Sequence, residues 1–88
     1  MDLEEELRKE TEKWLGRIRE IIGRVELLDE GKKDVVENVR AYVKDCEYFL
    51  GRNDLIRAFE SVIWAWAWLE ILKELGVVSY PHSGSSGR

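Results

Sequence analysis

Three segments of the chain carry apolar residues at intervals of three and four positions, the spacing of one face of an α-helix. They cover residues 3–29, 34–50 and 55–75. The stripe of the first segment is Leu7, Thr11, Trp14, Ile18, Ile21, Val25 and Leu28, that of the second is Val35, Val39, Tyr42, Cys46 and Phe49, and that of the third is Leu55, Phe59, Val62, Trp66 and Leu69. Turns containing Gly31 and Gly51 separate the segments, so the spacing predicts three helices.

Short connections between three helices favour an all-α, antiparallel up-down-up three-helix bundle, which we predict for residues 1–76. The first predicted helix is about nine residues longer than the second, so one of its ends should project by roughly 13 Å at 1.5 Å per residue. Such a projection would carry Leu3 and Leu7 without anything in the same chain to cover them. The length difference is therefore a first indication that the protein binds a partner.

The third predicted helix is apolar on two sides, because three tryptophans lie within five residues. At about 100° per residue, Trp66 falls on the stripe, whereas Trp64 and Trp68 fall on the other side. The alternation of tryptophan and alanine also fits a β-strand, but the flanking 3.6-residue period favours a helix, and the rest of the chain offers no obvious strand to pair with. The second side predicts an interface formed by Trp64, Trp68, Ile71, Leu72 and Leu75.

The last twelve residues, 77–88, are predicted to form a flexible tail outside the bundle. This segment contains Pro81 and ends in Ser-Gly-Ser-Ser-Gly-Arg, which offers almost no apolar surface to bury. It resembles an appended expression sequence rather than a part of the fold.

Composition and charge restrict the classes of partner and the compartment. The net charge of −4 and the pI of about 5.0 argue against a general nucleic-acid binder. An acidic start, apolar runs of at most eight residues and a single cysteine predict a cytoplasmic protein without a membrane segment or an internal disulfide. The absence of glutamine beside abundant Glu, Lys and Arg is typical of a thermophile.

The sequence offers no constellation for metal binding or nucleophilic catalysis. Its single histidine, His82, lies in the predicted tail, and Cys46 stands alone at a core position. One thiol cannot hold zinc, and no structured histidine is there to activate it as a nucleophile. We therefore predict no catalytic activity, metal or cofactor, and we interpret the carboxylates Asp45, Asp54 and Glu70 as caps, ion-pair partners or partners of a tyrosine hydroxyl. An acid pair among them is the alternative, but their spacing selects no reaction.

The segment 41–77 resembles a known archaeal family. The order of a tyrosine, an aspartate before Phe-Leu, a Gly…Asp turn, Ala-Phe, an alanine before Trp-Leu and a final Leu-Gly is carried here by Tyr42, Asp45, Phe49, Leu50, Gly51, Asp54, Ala58, Phe59, Ala65, Trp68, Leu69, Leu75 and Gly76. This family is domain of unknown function number 357. The chain departs from its pattern at four positions: Cys46 replaces an alanine, Trp64 a tyrosine, Ala67 a glycine and Glu70 an aspartate. The resemblance implies a helical bundle of archaeal origin without an assigned activity, and it singles out the polar positions Tyr42, Asp45, Asp54 and Glu70.

Three hypotheses of function follow. The first is an interaction module that forms a homo-oligomer, with a dimer favoured, or docks on another helical protein. The second is an accessory RNA-binding or nucleotidyltransferase-associated helical module, which the acidic net charge disfavours. The third is a small-molecule binder that uses the tryptophan cluster.

Overall fold

The computed structural model describes residues 2–81 and confirms an all-α three-helix bundle. The helices are α1 (Leu3–Ile22), α2 (Lys33–Gly51) and α3 (Leu55–Glu74). A short 3₁₀ helix, Glu30–Lys32, precedes α2, and two two-residue strands, β1 (Glu26–Leu27) and β2 (Val78–Ser79), complete the fold. None of the helices in this part of the chain has the length and apolar character to cross a membrane.

α3 is the central helix and packs against both of the others, whereas α1 and α2 share fewer contacts. Three residues connect α2 to α3, so these two helices run antiparallel. α1 runs parallel to α3, because Arg8 near its start contacts Asn53 just before α3, and Trp14 in its middle contacts Trp66 in the middle of α3. The helices thus have the predicted up-down-up order.

The core lies between the three helices and is closed at one end by the segment after α3. Its buried apolar residues are Leu15, Ile18, Ile21, Val36, Val39, Val43, Cys46, Ala58, Val62, Ala65, Leu69, Leu72, Val77 and Val78. Thr11 is also fully buried, and its hydroxyl donates to the carbonyl oxygen of Leu7 at 2.8 Å. Because that oxygen belongs to the same helix, the buried hydroxyl has a partner without any distortion of the bundle.

The prediction that the first helix extends to residue 29 is wrong, because α1 ends at Ile22. Gly23 caps it, with its N–H directed at the carbonyls of Arg19 and Ile21, and the chain then becomes extended. Val25 and Leu27 pack against the core from this extended segment. α1 has 20 residues and α2 has 19, so the predicted projection of α1 beyond α2 by roughly 13 Å is also wrong.

The prediction that the tail begins at residue 77, and that the chain offers no paired strand, is wrong for residues 77–79. β1 and β2 are antiparallel, with Glu26 opposite Ser79 and Leu27 opposite Val78. The N–H of Leu28 donates to the Val77 carbonyl at 2.8 Å. A run of two residues is too short to show the two-residue period of a strand, which is why the pattern hid it. Residues 82–88 of the predicted tail lie outside the described residues.

Aspartate side chains cap two of the three α-helices described. Asp2 accepts from the N–H of Glu5 at 2.7 Å, and Asp54 caps α3 by accepting from the N–H of Arg57 at 3.3 Å. α2 has no side-chain cap of its own, because it continues directly from the 3₁₀ helix, whose cap is Asp29. The chain reverses between α2 and α3 through Asn53 at φ 60°, a conformation that asparagine tolerates better than most residues.

Candidate interaction surface

The three clustered tryptophans of α3 contact different neighbours. Trp66 meets Trp14 of α1 edge to face, with ring centroids 5.7 Å apart and an interplanar angle of 84°. Its Nε1–H donates to the carbonyl oxygen of Trp14 at 3.1 Å. Trp64 instead stacks on Tyr42 of α2, with centroids 6.4 Å apart and planes inclined by 19°. The tryptophans thus join α3 to both flanking helices, which the 100° rotation per residue allows.

One of the five predicted interface residues belongs to the core. Leu72 is only 3% exposed, because the inward side of α3 continues from Ala65 through Leu69 to Leu72 at intervals of four and three. The prediction of Leu72 as an interface residue is therefore wrong. Trp68 is half-buried against the core, whereas Trp64, Ile71 and Leu75 are exposed.

The structure shows a second apolar surface, which the sequence pattern did not reveal. It runs along the seam between α1 and α3, and we call it the α1–α3 groove; its residues are Leu3, Leu7, Trp14, Ile56, Ile63 and Ala67. Ile56 is 75% exposed and Ile63 is 44% exposed, although both lie within the apolar helix α3. The seven-residue spacing of Ile56 and Ile63 indicates that they share one side of α3. This spacing is hard to recognise in the sequence, because apolar residues also occupy other sides of the helix.

Two shallow hollows lie in this groove. The larger, of about 490 Å³, lies near the helix starts between Leu3 and Leu7 on one side and Leu55 and Ile56 on the other. The second, of about 330 Å³, is lined by Trp14, Ile63, Trp66, Ala67 and Glu70. Apolar side chains of a partner helix would enter such hollows in the way knobs enter holes between helices.

The α1 rim of the groove carries exposed charges of both signs: Glu6, Glu10, Lys13 and Arg17. Glu10 accepts from Nε1–H of Trp14 at 2.9 Å and lies 3.3 Å from the Lys13 ammonium. The Trp14 hydrogen bond, followed by that from Lys13, lowers the pKa of the Glu10 carboxyl. The cations of Lys13 and Arg17 lie 5.2 and 4.9 Å from the centroid of the Trp14 ring, so the rim is organised around this tryptophan.

The four polar positions singled out by the family resemblance do not form one site. Asp54 caps α3 and accepts from the Arg57 guanidinium at 2.8 Å, which holds the pKa of its carboxyl below its usual range. Glu70 lies sixteen positions further along α3, roughly 24 Å away by the helical rise. Tyr42 contacts Trp64, and Asp45 is exposed on α2. Asp54 and Glu70 are therefore too far apart to act together as an acid–base pair.

The chemistry of Cys46 matches that of a core residue. It is fully buried, and burial raises the pKa of its thiol to about 11, so the nucleophilic thiolate is disfavoured at neutral pH. Among residues 2–81, no group of three or more histidine, cysteine, aspartate or glutamate side chains is arranged to hold a metal ion.

The comparisons with known proteins place the chain in a family without an assigned activity. The family model described as "Protein of unknown function (DUF357)" matches residues 9–78. A crystal structure of protein AF1782 from Archaeoglobus fulgidus, of the same family, superposes with a TM-score of 0.80 at 52% sequence identity. The match covers 91% of this chain and 100% of that one. None of the curated proteins compared with the chain matches it.

Proposed function

We propose that this chain, which belongs to the family described as "Protein of unknown function (DUF357)", is a non-catalytic interaction module that dimerises through its α1–α3 groove. The observation that carries the proposal is the pair of exposed isoleucines of α3: Ile56 lies near the exposed Leu3 of α1, and Ile63 lies near Trp14 of α1. Large aliphatic side chains aligned along two parallel helices form a surface that other helices bind.

The charges beside the groove support a second copy of the chain as the occupant. On α1 the acidic residues Glu6 and Glu10 precede the basic residues Lys13 and Arg17, so a reversed second copy presents charges of the opposite sign. The six apolar residues of the groove expose less than about 600 Å² per copy, so the interface has to include these rim residues to reach the size of a stable dimer.

The chemistry of the described residues supports a module without catalysis. The buried thiol of Cys46 is held neutral, and Asp54 is engaged by Arg57 and the start of α3. At the α1 rim of the groove, Glu10 is paired with Lys13 of its own helix. The hypotheses of RNA binding and small-molecule binding stay untested, and the mixed signs of the α1 rim do not form the positive surface that RNA requires.

The proposal is tested by placing a charge in the groove. Ile56→Glu and Ile63→Glu should each shift the sedimentation coefficient to that of a monomer at concentrations where the wild-type chain is a dimer, because an unpaired carboxylate would be buried at the interface. Leu28→Glu is the matched control, since Leu28 is an exposed leucine outside the groove, in the connection between β1 and the 3₁₀ helix. Circular dichroism checks that all three variants keep their helical content.

Either of two results would contradict the proposal. One is a dimer that survives both groove substitutions with its dissociation constant unchanged. The other is a dimer that Leu28→Glu disrupts as strongly as the groove variants, which would place the interface elsewhere.

A further inference from the structure

We infer that the second copy binds in an antiparallel orientation about a two-fold axis, and that four rim charges of α1 select this orientation: Glu6, Glu10, Lys13 and Arg17. The inference rests on the proposed dimer and specifies how one copy recognises the other. It follows from the order of the charges along α1 and from the level at which α1 lies beside α3.

The four charges occupy one stripe of α1, because their spacings of four, three and four return to the same side of a helix. All four are exposed. The first half of the stripe is acidic, with Glu6 and Glu10, and the second half is basic, with Lys13 and Arg17. The charges of the stripe are therefore complementary in sign to those of a second copy that runs in the opposite direction.

We consider two antiparallel copies of α1 whose two-fold axis passes between Thr11 and Glu12. In this arrangement each charged residue of the stripe faces a residue of opposite charge on the second copy. Glu6 then faces Arg17 of the second copy, and Glu10 faces Lys13 of the second copy. The two-fold axis repeats both pairs, which gives four attractive contacts from one stripe. A parallel copy in register would instead place each of the four charges opposite itself, and like charges facing each other disfavour that assembly.

The same axis also aligns the apolar residues of α3. Trp14 lies beside Ile63, Trp66 and Ala67, and Leu7 lies beside Leu55 and Ile56. The midpoint of the α1 stripe is therefore level with Ile63, to within about one turn of helix. In the antiparallel dimer, Ile63 approaches Ile63 of the second copy, and the exposed Ile56 approaches the C-terminal half of the second α3, where Ile71 is exposed.

The inference is tested by reversing the charges of one half of the stripe at a time. The variant Glu6→Lys/Glu10→Lys has an all-basic stripe, and the variant Lys13→Glu/Arg17→Glu has an all-acidic one. Each alone should dimerise about tenfold or more weakly than the wild type, because four attractive contacts become repulsive. An equimolar mixture should form a heterodimer close to wild-type affinity, and the gain on mixing should fall at high salt.

A mixture that associates no more tightly than the separate variants overturns the inference. Dimeric wild type with charge variants of unchanged affinity also overturns it, while leaving the proposed dimer through the groove intact. A monomeric wild-type chain overturns both.

Cross-linking tests the orientation with variants that leave Glu10 and its bond to Trp14 in place. Glu6→Cys and Arg17→Cys chains are prepared separately, mixed and treated with a short bismaleimide, while the fully buried Cys46 is protected. The antiparallel dimer should give cross-links only between the two variants, since two copies of residue 6 lie roughly 16 Å apart along the helices. Cross-links within each variant alone, and none between them, would show a parallel dimer and overturn the inference.

Discussion

The inward side of α3 is apolar and covered by the chain itself, whereas the outward side is exposed and mixes isoleucines with glutamates. The inward side consists of Ala58, Val62, Ala65 and Leu69, all fully buried against α1 and α2. The outward side carries Ile56, Ile63 and Ile71, all exposed. The sequence of a helix therefore shows where its apolar residues lie, while the packing shows which of them the chain covers by itself.

Side-chain size distinguishes the two sides further. The inward side alternates alanine with larger aliphatic residues, so α3 can approach its neighbours closely. The tryptophans lie at the borders between the two sides, where Trp66 reaches α1 and Trp64 reaches α2. A central helix with small residues inward and aromatic residues at its borders can contact two helices and still expose a third surface.

The largest expected effect is on the free energy of unfolding, when a leucine of the inward side and an isoleucine of the outward side are each replaced by alanine. Leu69→Ala should lower the free energy of unfolding by about 2–5 kcal/mol, because it leaves a cavity in the core. Ile71→Ala should lower it by less than about 1 kcal/mol in dilute protein. Urea unfolding followed by circular dichroism measures both values, and equal losses would contradict the difference between the two sides.

The thiol of Cys46, which faces the core from α2, provides a pH test of the inward environment. Burial raises its pKa from 9.0 to about 11, so the folded chain holds the thiol proton above the pH at which the unfolded chain releases it. The stabilisation is complete below pH 9.0 and is lost as the pH rises towards about 11.

Wild-type stability should therefore fall between pH 9.0 and about 11 by about 2 kcal/mol more than that of Cys46→Ala. The comparison with the variant isolates the contribution of the thiol. Parallel pH profiles of the two proteins would show that the thiol is not buried as described.

A smaller effect concerns the border between the two sides. Trp66→Phe retains an aromatic ring but removes the Nε1–H that donates to the Trp14 carbonyl. The free energy of unfolding should therefore fall by about 1 kcal/mol. Trp64→Phe is the matched control, because Trp64 is more exposed and its contact with Tyr42 is ring stacking. If thermal unfolding shows the control to be the more destabilised variant, the described role of Trp66 at the α1 border is wrong.

The sequence was sufficient to predict the three helices, their up-down-up order and the cap at Asp54, because each depends on residues that are near one another in the chain. It was insufficient for the end of α1, since Val25 and Leu28 continue the helical spacing although Gly23 has already ended the helix. The pairing of Leu27 with Val78 joins positions 51 residues apart and leaves no periodic trace.

The interface prediction had a similar limit. Periodicity identified an apolar helix with two sides but assigned Leu72 to the outer one, because neighbouring positions on a helix lie only about 100° apart. The α1–α3 groove depends on how Leu3, Leu7 and Trp14 of one helix lie beside Ile56 and Ile63 of another. That arrangement is tertiary, so it became visible only in the structure.

The central claim is that the outward side of α3 and the adjoining face of α1 are covered by a second copy of the chain. Light scattering of the full chain over a dilution series measures this most directly. The account predicts a mass of twice 10.3 kDa that falls towards 10.3 kDa on dilution, with the midpoint moved to higher concentration by Ile63→Glu. A mass of 10.3 kDa at every concentration would contradict it.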